Sequence, residues 1–429
     1  MLKKIQQDFS YYSHEFKDNY RKGVHRLRTI LASRAQAQAF VSNAGGVAVV
    51  LGYEPDKPDK NAQELYALLA ASPYIDDAVQ TFLGSIYEAG AESQDAMYSD
   101  SARCLEILHD PVMARAAGAG AVSAGKWIAT LAGQSCAAYT GIAAVAASET
   151  AMTAVAASET AMAAVIGNAT ALNVVATSQA AMNAVAASEA AMAAVIANST
   201  ALNTVVTSPV AMNAVASSYV AVAAVYESTV AVEAVKANET AWSTLTGASS
   251  AVMGKAAAKL AGLNPADYAD MDAIAASSTA MAAIIGNSTA LNAVVSSSTA
   301  MAAVAASATA ISALAASSAA KSALQASPLK KVYSWGGNSW TANTLTAVSG
   351  SGLLLKIQIT NNVGGWSLPS KTGHKVLLDG AAFTATNMYS TSDIYQQSTN
   401  AVIDESVRRY KSSINVYLYN ATKITYIPC

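Results

Sequence analysis

From Ser148 onward the chain repeats itself every ten residues, beginning SETAMTAVAA, SETAMAAVIG, NATALNVVAT, SQAAMNAVAA and continuing to NETAWSTLTG. The period breaks after Gly247, resumes at Asp267, and runs again from Ser277 as SSTAMAAIIG, NSTALNAVVS, SSTAMAAVAA, SATAISALAA and SSAAKSALQA. Position one is Ser or Asn almost throughout, position five mostly Met, Leu or Val, and position eight Val, Ile or Leu. Such a repeat constrains the fold before anything else does, because a unit this short cannot bury its own apolar side and must stack on its neighbours.

Two structures fit the period. In one, each decad is a short helix opened by its Ser or Asn, whose side chain accepts a bond from an early free N–H. Proline is favoured just after such a cap, and five prolines follow Ser, Asp or Asn directly: Ser72-Pro73, Asp110-Pro111, Ser208-Pro209, Asn264-Pro265 and Ser327-Pro328. Gly167-Asn168 and Gly286-Asn287 place a helix-ending residue against a helix-starting one. In the other, the tract is one long coiled-coil helix, which ten residues per three turns would force to roughly 3.3 residues per turn. An interior proline would cost such a helix about 3 kcal/mol. Capped short helices stacked in a superhelix are therefore favoured.

Composition agrees. Apolar residues make up 53% of the chain, yet only 7% are aromatic, so a conventional deep core is not available. A net charge of −2 disfavours nucleic acid as a partner. Three cysteines (Cys104, Cys136, Cys429) make no disulfide framework. The first residues hold no apolar signal core, and no stretch is apolar enough for a membrane span, which reads as synthesis in a cytoplasm without a classical secretion signal.

The expected fold is mostly α, followed by a C-terminal all-β sandwich or jelly-roll-like domain. Residues 1–60 form an N-terminal amphipathic region, in which Ile5, Phe9, Tyr12, Phe16, Tyr20, Val24, Leu27 and Leu31 describe one helix, set off by Gly45, Gly46 and the segment from Pro55 to Pro58. Residues 61–147 carry degenerate decads, with Ser93 and Asp110 at cap phase and Asp76 and Asp77 as first-turn acids after Ser72-Pro73. Residues 148–328 are the decad tract, broken near 248–266, and 329–429 are the β-domain. Strands are predicted at 353–359, 374–378, 412–419 and 423–427, with turns at Asp379-Gly380 and Asn361-Asn362.

The decads resemble the S-x-T-A-M-x-A-V-A-x arrays of bacteriophage tail-fibre and related virion proteins. Thr344 to Leu353 is similar to the V-S-G-x-G-x-L opening of the small β-domains that end such fibres, with Asp379-Gly380 and the strand Ser412 to Val416 following in order. The resemblance covers roughly Ser72 to the end and rests on short motifs. It implies a virion protein docked by its N-terminal end on other virion proteins, a homo-oligomer (a trimer for most fibres), and a C-terminal domain that meets a host cell-surface glycan. A head-fibre, collar or baseplate part is the alternative, and an ice-binding or adhesin-like array a third. The third is weakened where Ala180, Ala190, Val210 and Val220 replace the position-three Thr.

Catalytic chemistry finds little support. The four histidines lack metal-ligand spacing, no G-x-S-x-G elbow is found, and Gly118-Ala119-Gly120 reads as close packing rather than a dinucleotide loop. No catalytic residue, metal or cofactor is expected. A glycan-cleaving domain needs two carboxylates, and only Asp379, Asp393, Asp404 and Glu405 are available, Asp379 being assigned to a turn. The Asn-x-Ser/Thr triplets at Asn168, Asn198, Asn238 and Asn287 fall on cap positions, and a fifth lies at Asn420. The candidate ligand-binding residues are Trp335, Trp340, Trp366, Tyr389 and Tyr395, aromatic rings in Gly/Ser/Asn-rich sequence that stack on sugars or, alternatively, fill a small core. Arg408, Arg409 and Lys411 read as partners for acidic sugars or as a solvated strand edge.

Overall fold

The computed structural model describes residues 10–16, 20–53, 60–87, 93–335, 343–359, 375–382, 401–418 and 422–429. The chain forms two compact units, Met1–Val215 with Glu233–Ala241, and Ala216–Val232 with Trp242–Cys429.

In both units the decads are separate helices of eight or nine residues, such as Glu149–Ala157, Glu159–Ile166 and Ala169–Thr177. Ser148, Ser158 and Asn168 sit in extended backbone between them, each accepting the N–H of the residue three further on. Consecutive helices turn by about 100°: 102° at Asn168 and 101° at Ser188. Three such turns bring the chain back over itself. The Ser178 hydroxyl therefore donates to the carbonyl of Ala146, Ser188 to Ala156 and Ser208 to Ala176, at 2.6, 2.8 and 2.6 Å. Each cap hydroxyl thus closes two open backbone groups, one at the start of its own helix and one on the turn beneath.

Three decads per turn explain a longer period in the sequence. Every third decad of the early tract opens with Asn (Asn168, Asn198) and carries Leu at position five (Leu172, Leu202), Asn at six (Asn173, Asn203) and Thr at ten (Thr177, Thr207). Each edge of a turn thus has its own consensus. The interior is filled by positions four, five and eight. Position four is Ala in every decad from Ser148 to Gly247, and Ala151, Ala161, Ala171 and Ala181 are fully buried where neighbouring turns approach closely.

The break near 248–266 is a second copy of an earlier element. Helix Ala121–Leu131, a 3-10 turn Cys136–Ala138 and helix Ile142–Ala147 match helix Ser250–Leu260, a 3-10 turn Pro265–Asp267 and helix Met271–Ala276. Gly125-Lys126, Leu131-Ala132-Gly133 and Tyr139 recur 129 positions later as Gly254-Lys255, Leu260-Ala261-Gly262 and Tyr268. Gly133 and Gly262 end the first helix of each copy at φ 72° and 73°, the left-handed region that favours glycine. Gly125 and Gly254 sit against the chain that follows, where an added Cβ would lie 2.1 Å from the carbonyl carbon of Gly141 and 2.3 Å from that of Asp270. Cap contacts match too: Ser158 donates to the Leu131 carbonyl at 3.1 Å and Asn287 to that of Leu260 at 2.8 Å. Each copy is a start cassette for the decads behind it.

The N-terminal region departs from the single-helix expectation. Residues 10–16 and Tyr20–Ala32 are both helical, but an added Cβ on Gly23 would lie 2.3 Å from the Phe16 carbonyl oxygen, a contact a straight helix cannot make across seven residues. The first segment folds back, and Tyr12, Phe16 and Phe40 pack their rings together. Gly45 and Gly46 are not a separator; both are buried in helix Ala44–Leu51, Gly46 against the Phe40 and Tyr12 rings. Ser72-Pro73 forms a turn, with the helix beginning at Ile75. Asp76 caps a different helix, its carboxylate accepting the Ser123 N–H at 2.8 Å, and Gly120 lacks a side chain because that carboxylate occupies the space. The segment Pro55 to Pro58 lies outside the described residues.

The β-domain has nine strands among the described residues: β1 (Lys331–Trp335), β2 (Asn343–Ser349), β3 (Gly352–Ile359), β4 (Lys375–Leu378), β5 (Ala381–Ala382), β6 (Ala401–Asp404), β7 (Arg408–Tyr410), β8 (Ser413–Leu418) and β9 (Thr422–Pro428). One sheet runs β1-β9-β3-β6 with β7 also on β3, the other β2-β8-β4-β5, and every pairing is antiparallel. Val348 and Ile414 of one sheet meet Leu354, Ile357, Tyr410 and Ile424 of the other in a shared core, the arrangement of a small sandwich. The four predicted strands are present as β3, β4, β8 and β9; β1, β2, β5, β6 and β7, which are short or polar, carry no such signal.

Candidate functional site in the C-terminal domain

Of the five candidate ligand-binding residues, Trp335 closes β1 opposite Thr422 of β9. Trp340, Trp366, Tyr389 and Tyr395 lie outside the described residues, as do Asn361-Asn362, Asp393 and Asn420. By sequence position the four rings belong to the segments linking β1 to β2, β3 to β4 and β5 to β6.

The charged residues between those segments hold the domain together. Asp379 and Gly380 form the two-residue turn between β4 and β5, at φ 55° and 81°, as a tight hairpin demands. The Asp379 carboxylate accepts the N–H groups of Lys411, Ser412 and Ser413 at 2.8, 2.6 and 3.3 Å, and the Ser412 hydroxyl at 2.9 Å. Desolvation pushes its carboxyl upward, but the donors of Lys411, Ser412 and Ser413 outweigh it and hold the group below the ordinary carboxylate value. Asp404 is 1% exposed and accepts from the Ser406 hydroxyl at 2.6 Å and from Arg408 Nε at 3.3 Å. Glu405 meets Lys356 at 3.5 Å.

The basic trio divides. Arg408 turns inward to Asp404, while the Lys411 N–H is bound by Asp379. Arg409 donates to the carbonyl of Ala306 at 3.1 Å, at the end of decad helix Ser298–Ala306. The β-domain therefore rests on the last turn of its own unit, with β3 against helix Ser318–Ala326 and β7 against Ala308–Ala316. This covers the open end of the stack, as solenoids require.

Two polar constellations outside this domain escaped the sequence. Arg115 lies 3.6 Å from the Tyr53 ring centre and 4.2 Å from that of Tyr66, and donates to the carbonyls of Leu51 and Tyr53 at 2.8 and 2.7 Å. It staples the C-terminal end of one helix to another. Lys126, 9% exposed, pairs with Asp95 and donates to the carbonyls of Cys136 and Tyr139. No spacing signals either, because the partners lie 10 to 64 residues away at no fixed interval. Burial, then the nearby Cys136, pushes the Cys104 thiol up to about 12. Among the described residues no group of three His, Cys, Asp or Glu is placed to hold a metal, and no single helix is long and apolar enough to cross a membrane. The Asn-x-Ser/Thr residues act as caps: Asn168, Asn198 and Asn238 each accept an N–H at 3.0 Å, from Ala171, Ala201 and Ala241.

Compared with known proteins, the chain matches no family model and no curated protein.

Proposed function

We propose that this chain is a fibre-like virion component in which the decad tract is a spacer and the C-terminal β-domain binds the host surface. One observation carries the reading. The cap side chains of the decads are spent on their own backbone, each hydroxyl or amide closing a helix start and, at many corners, the turn beneath. A tract built this way sets distance and carries no chemistry. In the β-domain Asp379 is likewise bound to backbone N–H groups, and Asp404 and Arg408 are bound to each other, which leaves Trp340, Trp366, Tyr389 and Tyr395 as the residues proposed for recognition. Rings of this kind stack on sugar faces. Assembly with other virion proteins, and a trimer, belong to the same reading.

The test is binding of the labelled full chain to intact bacterial cells and to their extracted surface polysaccharide. Replacing Trp340 and Trp366 together with Ala should lower cell binding at least tenfold with the helical circular dichroism unchanged. A chain that binds no cells but does bind other purified virion proteins is instead a head-fibre, collar or baseplate part.

A further inference from the structure

Charges are separated along the sequence. Residues 17–34 hold six Lys and Arg against Asp18 alone, whereas residues 148–247 hold six Glu against Lys236 alone. Helix Tyr20–Ala32 lies in the first group. It turns Val24 and Leu27 inward, 8% and 0% exposed, and packs against helices Arg34–Val41 and Lys60–Ala70. Lys22, His25 and Arg26 stand exposed together on its outer side, since positions three and four apart share a helix face. Arg28 at the rim meets Glu64 at 3.3 Å. In the second group, Glu149, Glu159 and Glu239 are exposed first-turn acids of their decads. The caps fix these helix starts in place, so the backbone positions that carry the carboxylates are held by the fold.

We propose that the basic face of helix Tyr20–Ala32 is a docking surface for a second copy of this chain, and that it seats on the acidic decads around Glu149 and Glu159. Charge complementarity selects this occupant. The two segments carry opposite and equal excess charge, while a chain total of −2 leaves little long-range repulsion between copies. The contact is heterologous: each copy offers a basic face to one neighbour and an acidic one to another. It therefore continues from copy to copy, as a ring where the rotation closes and as an open filament where it does not. This inference does not rest on the host-binding reading.

Sedimentation velocity on the full chain tests it, at about 20 mM and about 500 mM salt, conditions that bracket weak and strong screening. The wild type should associate at low salt and dissociate at high salt. K22E/R26E and E149K/E159K should each associate at least tenfold more weakly alone, and an equimolar mixture of the two should recover association, because each then meets its opposite. K22Q/R26Q, which introduces no new repulsion, should be weakened as well. A wild type that stays a single copy at both salts overturns the proposal, as do charge-swapped variants that associate like the wild type. A third outcome also overturns it: duplex DNA bound by the wild type and not by K22E/R26E, with self-association untouched. That would make the face a nucleic-acid surface.

Discussion

The Ser178 hydroxyl donates to the carbonyl oxygen of Ala146, 32 residues earlier, at 2.6 Å, while its own oxygen accepts the N–H of Ala181 at 3.3 Å. One small side chain thus ties a local event, the start of a helix, to a long-range one, the closure of a superhelical turn.

Ser178→Ala removes both bonds. Loss of a cap costs about 1 kcal/mol, and stranding the Ala146 carbonyl adds about 1–3 kcal/mol where water cannot reach it. Thermal denaturation followed by circular dichroism should fall by several degrees, roughly 2–4 °C per kcal/mol for a unit of this size. Thr should retain most of what Ala loses, since it keeps the hydroxyl.

Alanine is required at position four and merely tolerated at position six. Ala191 is fully buried between turns, whereas Ala193 of the same helix is exposed. Ala191→Leu should destabilise by about 1–3 kcal/mol through overpacking, and Ala193→Leu should stay within about 0.5 kcal/mol of wild type. Paired urea titrations would read the difference.

The turn, not the decad, is the unit of length. Deleting residues 158–187 joins Ala157 to Ser188 and removes three decads, one whole turn, so the helices behind the junction keep their phase. Deleting 158–167 alone leaves the decads behind the junction one helix out of step with the turn before it, so the cap contacts across the junction are lost. The 30-residue deletion should give a cooperative melt close to wild type, and the 10-residue deletion a lower and broader one.

Asp379 makes the β-domain sensitive to acid. Its carboxyl is held below the ordinary value, so the charged form is preferred in the folded state. That contribution is complete above the unfolded-state pKa of about 3.9 and disappears as pH falls through the lower folded value. Amide exchange at Lys411, Ser412 and Ser413 should accelerate below about pH 4 in the wild type. In Asp379→Asn it should be fast at neutral pH already and lose this pH step.

Much of the helical body was legible in the sequence because its signals are local. Ser, Asn and Asp caps, and proline at Pro111 and Pro209, report on backbone within three residues and fall where the phase puts them. Ser72-Pro73 and Ser327-Pro328 carry the same letters but make turns, since no stacked helix follows at that phase. What the decad pattern hid was relational. The 30-residue period shows only once Ser178 is seen to rest on Ala146, and the second cassette reads as a mere interruption until Gly254 is laid beside Gly125. In the β-domain the turn at Asp379 was legible, because two residues of positive φ leave few choices. The role of Arg409 was not, because its partner Ala306 lies 103 residues away.

The doubled cassette also bears on heredity. Gly125 and Gly254 hold equivalent places in the two copies, so a deletion or duplication that begins at one and ends at the other removes or adds 129 residues at a stroke. Either product still has each cassette seated on a finished turn, with the helices behind it correctly phased. The number of decads between the two cassettes is therefore a quantity that one event can change by a whole block.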